Sequence, residues 1–259
     1  MPLNIVIAGL AAVVVPAALA IGMALLVHRF VPVARRQANN DVAGLAFAII
    51  GVLYAILLTF VTVSVWEASD NARSSTRDEA RAVVDLRRYA DSLSPADAGP
   101  LRGLADRYVT VVSKDEWPKM SRGEPVGADG ASTLDSMWTA LDAQHPSDDD
   151  ATARLAEARG DLRDLSTARD ARLSAVDGGL PSVMWLALLV GAALTVVNAM
   201  MFGVQGSGEY VAIIGMLAAM SALVLFAVWE LEYPYQRAEA VHADTFTSVI
   251  LTQTSTHVP

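Results

Sequence analysis

Two Trp-Glu pairs are the residues of this chain whose types and spacing point most directly to chemistry. Each pair closes a long apolar run that opens with Gly-x-Leu-x-Ala, the first from Gly51 to Trp66-Glu67 and the second from Gly215 to Trp229-Glu230. The two runs differ in length by one residue, which indicates a duplicated hairpin. Tryptophan is typical of the lipid–water interface, and rings of carboxylates favour cations. Trp66 and Trp229 are therefore predicted interface anchors, and Glu67 and Glu230 are candidates for an outer mouth.

Catalytic and metal-binding patterns are missing from the sequence. None of the four histidines (His28, His145, His242 and His257) has a second ligand at the spacing that a helical metal site requires. No P-loop, dinucleotide fingerprint or nucleophile elbow occurs. The chain also contains no cysteine, which excludes disulfides and thiolate metal sites. We therefore expect neither an enzyme nor a bound cofactor.

Charge is distributed very unevenly along the chain. Residues 67–180 hold 22 of the 28 acidic residues and 15 of the 19 lysines and arginines. Flanks with so little charge are typical of membrane spans around a soluble insert. The net charge of −9 argues against nucleic acid as a partner, because phosphate backbones attract basic surfaces.

Four stretches are apolar over the roughly 20 residues that are needed to cross a bilayer. They are residues 4–27, 42–66, 181–203 and 209–231. The first lacks a basic leader and is too long for a signal peptide, so we expect a retained helix. The predicted fold is all-α. Its segments are a first transmembrane hairpin (1–66), a helical bundle (67–180), a second hairpin (181–231) and a tail (232–259).

The orientation follows from the basic residues in the short loops. The loop at 28–41 carries Arg29, Arg35 and Arg36, with Asp41 as its only acid. This loop is predicted to be cytoplasmic. Both termini and the 67–180 domain would then be extracytoplasmic, in a multi-pass protein of the cytoplasmic (inner) membrane.

Small residues form a stripe along the second and the fourth span. Such stripes allow helices to approach closely in lipid. Two interpretations are open: the stripes pack against helices of the same subunit, or one of them faces a neighbouring subunit or a pore axis. Asn198 in the third span is expected to bond across helices or to line a pathway. The candidates for pore lining or helix packing are Gly44, Ala48, Gly51, Ala55, Gly208, Ala212, Gly215, Ala219 and Asn198.

The insert is expected to be an antiparallel helical bundle. The second span should continue as a helix to about Ser92, since neither glycine nor proline interrupts it. Ser94-Pro95 predicts the start of the next helix, with serine as the N-cap. On the last helix of the insert, the pairing of Asp164 with Arg169 is interpreted as part of a solvated face.

Several short segments, spread in order along most of the chain, resemble the bestrophin-like family of bacterial membrane proteins. They are Asn40-Asp41-Val42-Ala43-Gly44, Gly51-Val52-Leu53-Tyr54-Ala55, Phe60, Trp66-Glu67, Ala72, Glu79-Ala80, Asp115-Glu116-Trp117-Pro118 and Leu231-Glu232-Tyr233-Pro234-Tyr235. The resemblance implies four spans with the soluble portion between the second and the third.

The family name also implies kinship with bestrophin anion channels. That kinship rests partly on an acid-x-Pro-aromatic-x-Gly segment after the last span. This chain keeps Glu232, Pro234 and Tyr235 of that segment but has Arg237 where the glycine is expected. Pro234 is interpreted as a helix stop at the membrane surface.

Two functions remain open at this point. The first is an oligomeric ion channel whose path is lined by the small-residue stripes. Its partners would be the bilayer, further copies of the chain and an inorganic ion. Acids near the mouth favour cations, whereas the family name favours anions. The second is a non-conducting envelope interaction or sensor protein, which would act through the 67–180 domain with a hinge at Gly178-Gly179.

Overall fold

The computed structural model describes residues 3–204, 206–237 and 240–255, and every regular element in these ranges is helical. This confirms the all-α fold. The helices are α1 (Leu3–Phe30), α2 (Val33–Gln37), α3 (Asn40–Asp91), α4 (Pro95–Val111), α5 (Trp117–Ser121), α6 (Asp129–Asp142), α7 (Asp149–Ser174), α8 (Ser182–Met200), α9 (Ser207–Leu231) and α10 (Ala243–Ser255). A π-helical turn, Val112–Glu116, joins α4 to α5.

Four of these helices are long and apolar enough to cross a membrane, namely α1, α3, α8 and α9. They coincide with the four spans that the sequence predicts, and the chain is a multi-pass membrane protein. The structure also confirms that the second span continues without a break, since α3 ends only at Asp91. Ser94 caps α4 as predicted, because its side chain accepts a hydrogen bond from the amide of Asp97.

The chain divides into two compact units. The membrane unit combines the described residues up to Glu67 with Gly179–Glu232. The helical unit combines Ala68–Gly178 with the described residues from Tyr233 onward. Helix α3 contributes its first part to the membrane unit and its last part to the helical unit.

Within the membrane unit, α1 and α9 lie side by side because glycines remove the side chains that would separate them. A Cβ atom on Gly215 would lie 2.9 Å from the side chain of Ile21, and one on Gly9 would lie 3.1 Å from the ring of Phe226. Leu188 of α8 is fully buried among apolar side chains of α3 and α9. Most other apolar side chains of the spans point outward, as expected for surfaces that contact lipid.

The helical unit has a core of its own, formed mainly by the last part of α3 with α4, α6 and α7. Its fully buried side chains include Leu86, Leu101, Met137, Leu162 and Leu165. Residues of the predicted tail complete this core. Phe246 of α10 is fully buried, with its ring centroid 6.1 Å from that of Trp117. Trp117 in turn donates a hydrogen bond to the carbonyl of Val241.

Candidate functional site

A group of buried charged side chains lies at the centre of the helical unit. Arg172 is fully buried and donates two hydrogen bonds to Glu79, from Nε to Oε2 at 2.5 Å and from Nη2 to Oε1 at 3.0 Å. Its Nη2 also donates to Oε2 of Glu116 at 2.7 Å. Arg169 donates to the same oxygen of Glu116 from Nη1 at 2.8 Å. Tyr108 donates its hydroxyl to Glu79 at 2.6 Å. We call these five residues the ionic cluster.

The ionic cluster is neutral as a whole, because two carboxylates face two guanidinium groups. A buried charge costs free energy unless it is paired and hydrogen-bonded. Each charged member is at most 4% exposed, and each has an oppositely charged partner within 2.8 Å. The cluster therefore fixes the helices that carry its members relative to one another.

Local structure brings the members of the ionic cluster together. Glu79 lies on α3 and Tyr108 on α4, whereas Arg169 and Arg172 are three residues apart and so share one face of α7. Glu116 ends the π-helical turn, a form that is rare and often found at functional positions. Gly130 of α6 leaves room for the cluster, since a Cβ atom there would overlap Glu116 and Arg169.

Electrostatics in the ionic cluster favour the charged forms of Glu116 and Arg172. Burial acts to raise the pKa of Glu116, but Arg169 and Arg172 outweigh it and the pKa lies below its usual value. Burial acts to lower the pKa of Arg172, and the Glu79 carboxylate outweighs it, so this pKa is raised. Burial, together with Glu79, holds the pKa of Tyr108 well above its usual value. Glu116 and Arg172 are therefore held in their charged forms and Tyr108 in its neutral form, which suits the cluster to holding structure.

Sequence reasoning missed this cluster. It placed Arg169 on a solvated face with Asp164, which is wrong, since Arg169 is 4% exposed and pairs with Glu116. The signal was present in the spacing of α7. Leu162, Leu165, Arg169 and Arg172 follow one another at intervals of three and four residues, which places both arginines on the apolar seam of the helix.

Three of the segments that carry the family resemblance meet at this cluster. Glu79 and Glu116 are members, and the guanidinium of Arg172 lies 5.6 Å from the ring centroid of Trp117. The ring of Tyr235 packs edge-on against Trp117 at 5.8 Å. The Tyr235 hydroxyl donates to the carbonyl of Ala72 at 3.1 Å. The resemblance residues of the soluble portion thus form one packed centre.

Glu232, from the same resemblance segment, binds the start of α8. Its Oε1 accepts hydrogen bonds from the amide of Leu180 and from Nε1 of Trp185, each at 2.9 Å. Helix α9 ends at Leu231, three residues before Pro234, in agreement with the interpretation of that proline as a helix stop. In this structure Glu232 therefore anchors a helix start.

The small-residue stripe of α3 is open. Ala48 and Ala55 are exposed, and nothing lies within 4 Å of a Cβ atom built on Gly51. One on Gly44 would reach only the ring of Phe202, at 3.9 Å. Successive residues of an α-helix are about 100° apart, so Thr62 extends the same face toward the end of the span. This face of α3 is therefore not covered by the described part of the chain.

The stripe of α9 is divided between covered and open positions. Gly215 is buried against Ile21 of α1, and Ala219 is half-buried. Ala212 is exposed, and a Cβ atom on Gly208 would meet nothing within 4 Å. The two stripes are therefore not equivalent, because the middle of the α9 stripe packs within the chain.

The two Trp-Glu pairs also differ in their surroundings. Trp66 stands fifteen positions after Gly51, whereas Trp229 stands fourteen positions after Gly215. At about 100° per residue, Trp66 falls on the stripe face of α3, whereas Glu230 falls on the stripe face of α9. Trp66 is 64% exposed and Trp229 37% exposed. Glu67 is exposed, whereas Glu230 is 8% exposed and its Oε2 has no hydrogen-bond partner among the described residues.

Two polar residues of the third span, Thr195 and Asn198, differ in whether their side chains are hydrogen-bonded. The hydroxyl of Thr195 donates to the carbonyl of Gly191 one turn earlier, at 2.8 Å. The Oδ1 atom of Asn198 is buried and has no hydrogen-bond partner in the described part of the chain.

The chain was also compared with known proteins. No curated protein and no solved structure matches it. The family model described as the Bestrophin-like domain matches residues 14–246, which include all four apolar helices from the middle of α1 onward and nearly all of the helical unit. This match confirms the resemblance that the sequence carries, and the chain belongs to the bestrophin-like family.

Proposed function

We propose that this protein is a non-enzymatic, oligomeric ion channel of the cytoplasmic membrane. The observation that carries the proposal is the open stripe of α3. A face of small residues allows close helix contacts in lipid, and the described part of this chain leaves it uncovered. A neighbouring copy of the chain would cover it. Membership of a family named for its likeness to bestrophins supports conduction as the role of such an assembly.

In this proposal the α3 helices of neighbouring copies meet at their stripes around the permeation path, and the open part of the α9 stripe (Gly208 and Ala212) lies beside it. Glu230 lies on the stripe face of α9, and its Oε2 has no hydrogen-bond partner among the described residues, which makes it the candidate for ion contact. The helical unit and both termini are extracytoplasmic, because the loop with Arg29, Arg35 and Arg36 is basic.

Flux from liposomes tests the proposal directly. The protein would be purified in detergent, its subunit number measured by light scattering, and potassium and chloride efflux recorded separately after reconstitution. We expect a defined oligomer and flux of one ion class. The Glu230→Gln variant should reduce flux if the ion is a cation, because it removes the charge next to the path. Liposomes that stay tight to both ions would contradict conduction.

A pair of variants on α3 separates the stripe from the lipid-facing surface. Ala55→Phe places a large ring on the open stripe, whereas Leu53→Phe enlarges a side chain that is 64% exposed on the opposite side of the helix. We expect Ala55→Phe to weaken the oligomer and to reduce flux, and Leu53→Phe to change neither. Equal effects of the two variants would remove the stripe from the proposal.

The second candidate is a non-conducting interaction or sensor protein. It is favoured by the helical unit, which has a separate core and an ionic cluster in which each charged side chain has an oppositely charged partner. An intact oligomer without flux, together with capture of a specific envelope protein by the full-length chain, would support this function over the channel.

A further inference from the structure

A basic cavity lies at the end of the membrane unit where α1 connects to α3. Its volume is about 560 Å³, and its polar lining consists of Arg35, Arg36, Asn39 and Asn198. None of the acidic side chains that the structure describes lines it. The cavity therefore combines two cations with amide groups and presents no negative charge of its own.

Arg36 lines this cavity as a buried cation, and no carboxylate in the described part of the chain forms an ion pair with it. It is 3% exposed. Its Nη1 donates to the carbonyl of Phe202 at 3.0 Å, its Nη2 lies 3.0 Å from Nδ1 of His28, and its guanidinium lies 4.8 Å from the ring centroid of Tyr210. Its Nε is buried without a hydrogen-bond partner, and no carboxylate of the described residues pairs with it.

Buried charges in proteins are normally paired, because an unpaired one loses its hydration without compensation. The carbonyl groups and the ring around Arg36 offset only part of this cost. An anion in the cavity would supply the missing charge, and the guanidinium of Arg35 on the cavity wall would share it. The cavity thus has the charge and the donors that a phosphate group requires.

The other side chains of the cavity point to a lipid as the source of that phosphate. Val42 and Met201 also line the cavity and are 72% and 55% exposed, at the ends of membrane-spanning α3 and α8. Side chains in that position contact acyl chains. The Oδ1 of Asn198 has no hydrogen-bond partner within the described ranges, and it is an acceptor that a hydroxyl of the headgroup can satisfy.

From these observations we propose that the cavity binds an acidic phospholipid whose headgroup carries hydroxyl groups, with its phosphate at Arg35 and Arg36 and its acyl chains along Val42 and Met201. Basic pockets between membrane helices are known to take acidic headgroups. This site is independent of conduction, since it lies at the connection of α1 and α3 and its occupancy is measured by binding.

Binding of defined lipids to the full-length protein in detergent tests the site. Dioleoylphosphatidylglycerol and dioleoylphosphatidylcholine would be titrated in parallel, with the bound lipid counted by native mass spectrometry and the melting temperature followed by tryptophan fluorescence. We expect saturable binding of phosphatidylglycerol and a higher melting temperature, with little response to phosphatidylcholine.

Arg35 and Arg29, which both lie near the connection of α1 to α3, provide a matched pair of variants. Arg35→Gln removes a cation from the cavity wall and should weaken phosphatidylglycerol binding about fivefold, in line with roughly 1 kcal/mol for each cation near an acidic lipid. Arg29→Gln removes an exposed cation that does not line the cavity, and it should leave binding unchanged. Asn198→Leu replaces the amide whose Oδ1 accepts from the headgroup hydroxyl, and it should also weaken binding.

Three results would overturn the proposal. Equal binding of the two lipids would show that the negative charge is not recognised. Equal weakening by Arg29→Gln and Arg35→Gln would show general attraction to the basic loop. Displacement of the lipid by millimolar inorganic phosphate, with the same rise in melting temperature, would assign the cavity to a soluble anion.

Discussion

At the scale of single residues, Arg172 shows how the helical unit depends on charge as well as on apolar packing. It is the largest fully buried side chain of the described residues, and it contacts both carboxylates of the ionic cluster. A buried ion pair contributes little net stability compared with an apolar pair, but the loss of one partner is costly because the other charge stays buried. The cluster therefore makes the helical unit sensitive to single substitutions.

We expect Arg172→Met to lower the free energy of unfolding by about 3–5 kcal/mol, since Glu79 would keep only the Tyr108 hydroxyl as a partner. Unfolding of the full-length protein in detergent, followed by tryptophan fluorescence, measures this loss. Arg163→Met is the matched control on the same helix, because Arg163 is exposed. It should change stability by no more than about 0.5 kcal/mol. Similar losses for both variants would contradict the role of the cluster.

Asp161 gives a residue-scale prediction about pH. Burial raises its pKa to about 6, and the nearby acids Asp85, Glu157 and Asp164 add to the effect. A raised pKa means that the folded state disfavours the ionised form, so the stability contributed by protonated Asp161 is lost as the pH rises toward and through 6. Asp161→Asn should therefore be more stable than the native protein at pH 7.5, with the difference vanishing below about pH 4. Melting curves across this range measure it, and a difference independent of pH would refute it.

At the scale of the helices, the start of α6 is constrained by its approach to the ionic cluster. Gly130→Ala would press a methyl group against Glu116 and Arg169, and we expect a loss of about 1–3 kcal/mol from overpacking. Gly103→Ala is the control. This glycine is exposed inside α4 with open space around it, and alanine there should stabilise the protein by about 0.5–1 kcal/mol. We expect the melting temperature to fall for Gly130→Ala and to rise for Gly103→Ala.

Helix α10 yields a second prediction at this scale. Phe246 is its anchor, since the side chain is fully buried beside Trp117. We expect Phe246→Ala to cost about 3–5 kcal/mol and to make the segment after Tyr235 sensitive to limited proteolysis. Asp244→Ala changes an exposed neighbour on the same helix and should leave the segment protected. Cleavage of both variants at the same rate would show that Phe246 does not anchor the helix.

The elements themselves were largely predictable from the sequence. Apolar runs of about 20 residues determine membrane spans, and the absence of glycine and proline determined how far α3 continues. Contacts between distant segments were not predictable in the same way. Arg169 was misplaced because Asp164 is close in sequence, whereas its true partner, Glu116, is 53 residues away. The exposure of the α3 stripe also depends on tertiary packing. Residue spacing alone therefore could not distinguish packing within the subunit from contact with a neighbouring subunit or a pore axis.

At the scale of the whole molecule, the orientation in the membrane is the prediction that most affects function. The chain has no cysteine, so a single introduced cysteine is the one thiol of the protein that a reagent can label. Asp149→Cys at the start of α7 should react with an impermeant thiol reagent on intact cells, and Gln37→Cys at the end of α2 should react only after the cells are opened. Both positions are exposed in the structure. The reverse pattern would place the helical unit in the cytoplasm.

The one-residue difference between the two hairpins also has a consequence for the stoichiometry of any ring. The hairpins are pseudo-repeats, but the offset turns a tryptophan toward the small-residue face of α3 and a carboxylate toward that of α9. A ring of n subunits would therefore present n acidic groups and n tryptophan rings on those faces, rather than 2n acidic groups. Deletion of a single residue between Gly51 and Trp66 would place Glu67 on the small-residue face of α3. The number of acidic groups on the two faces would then double.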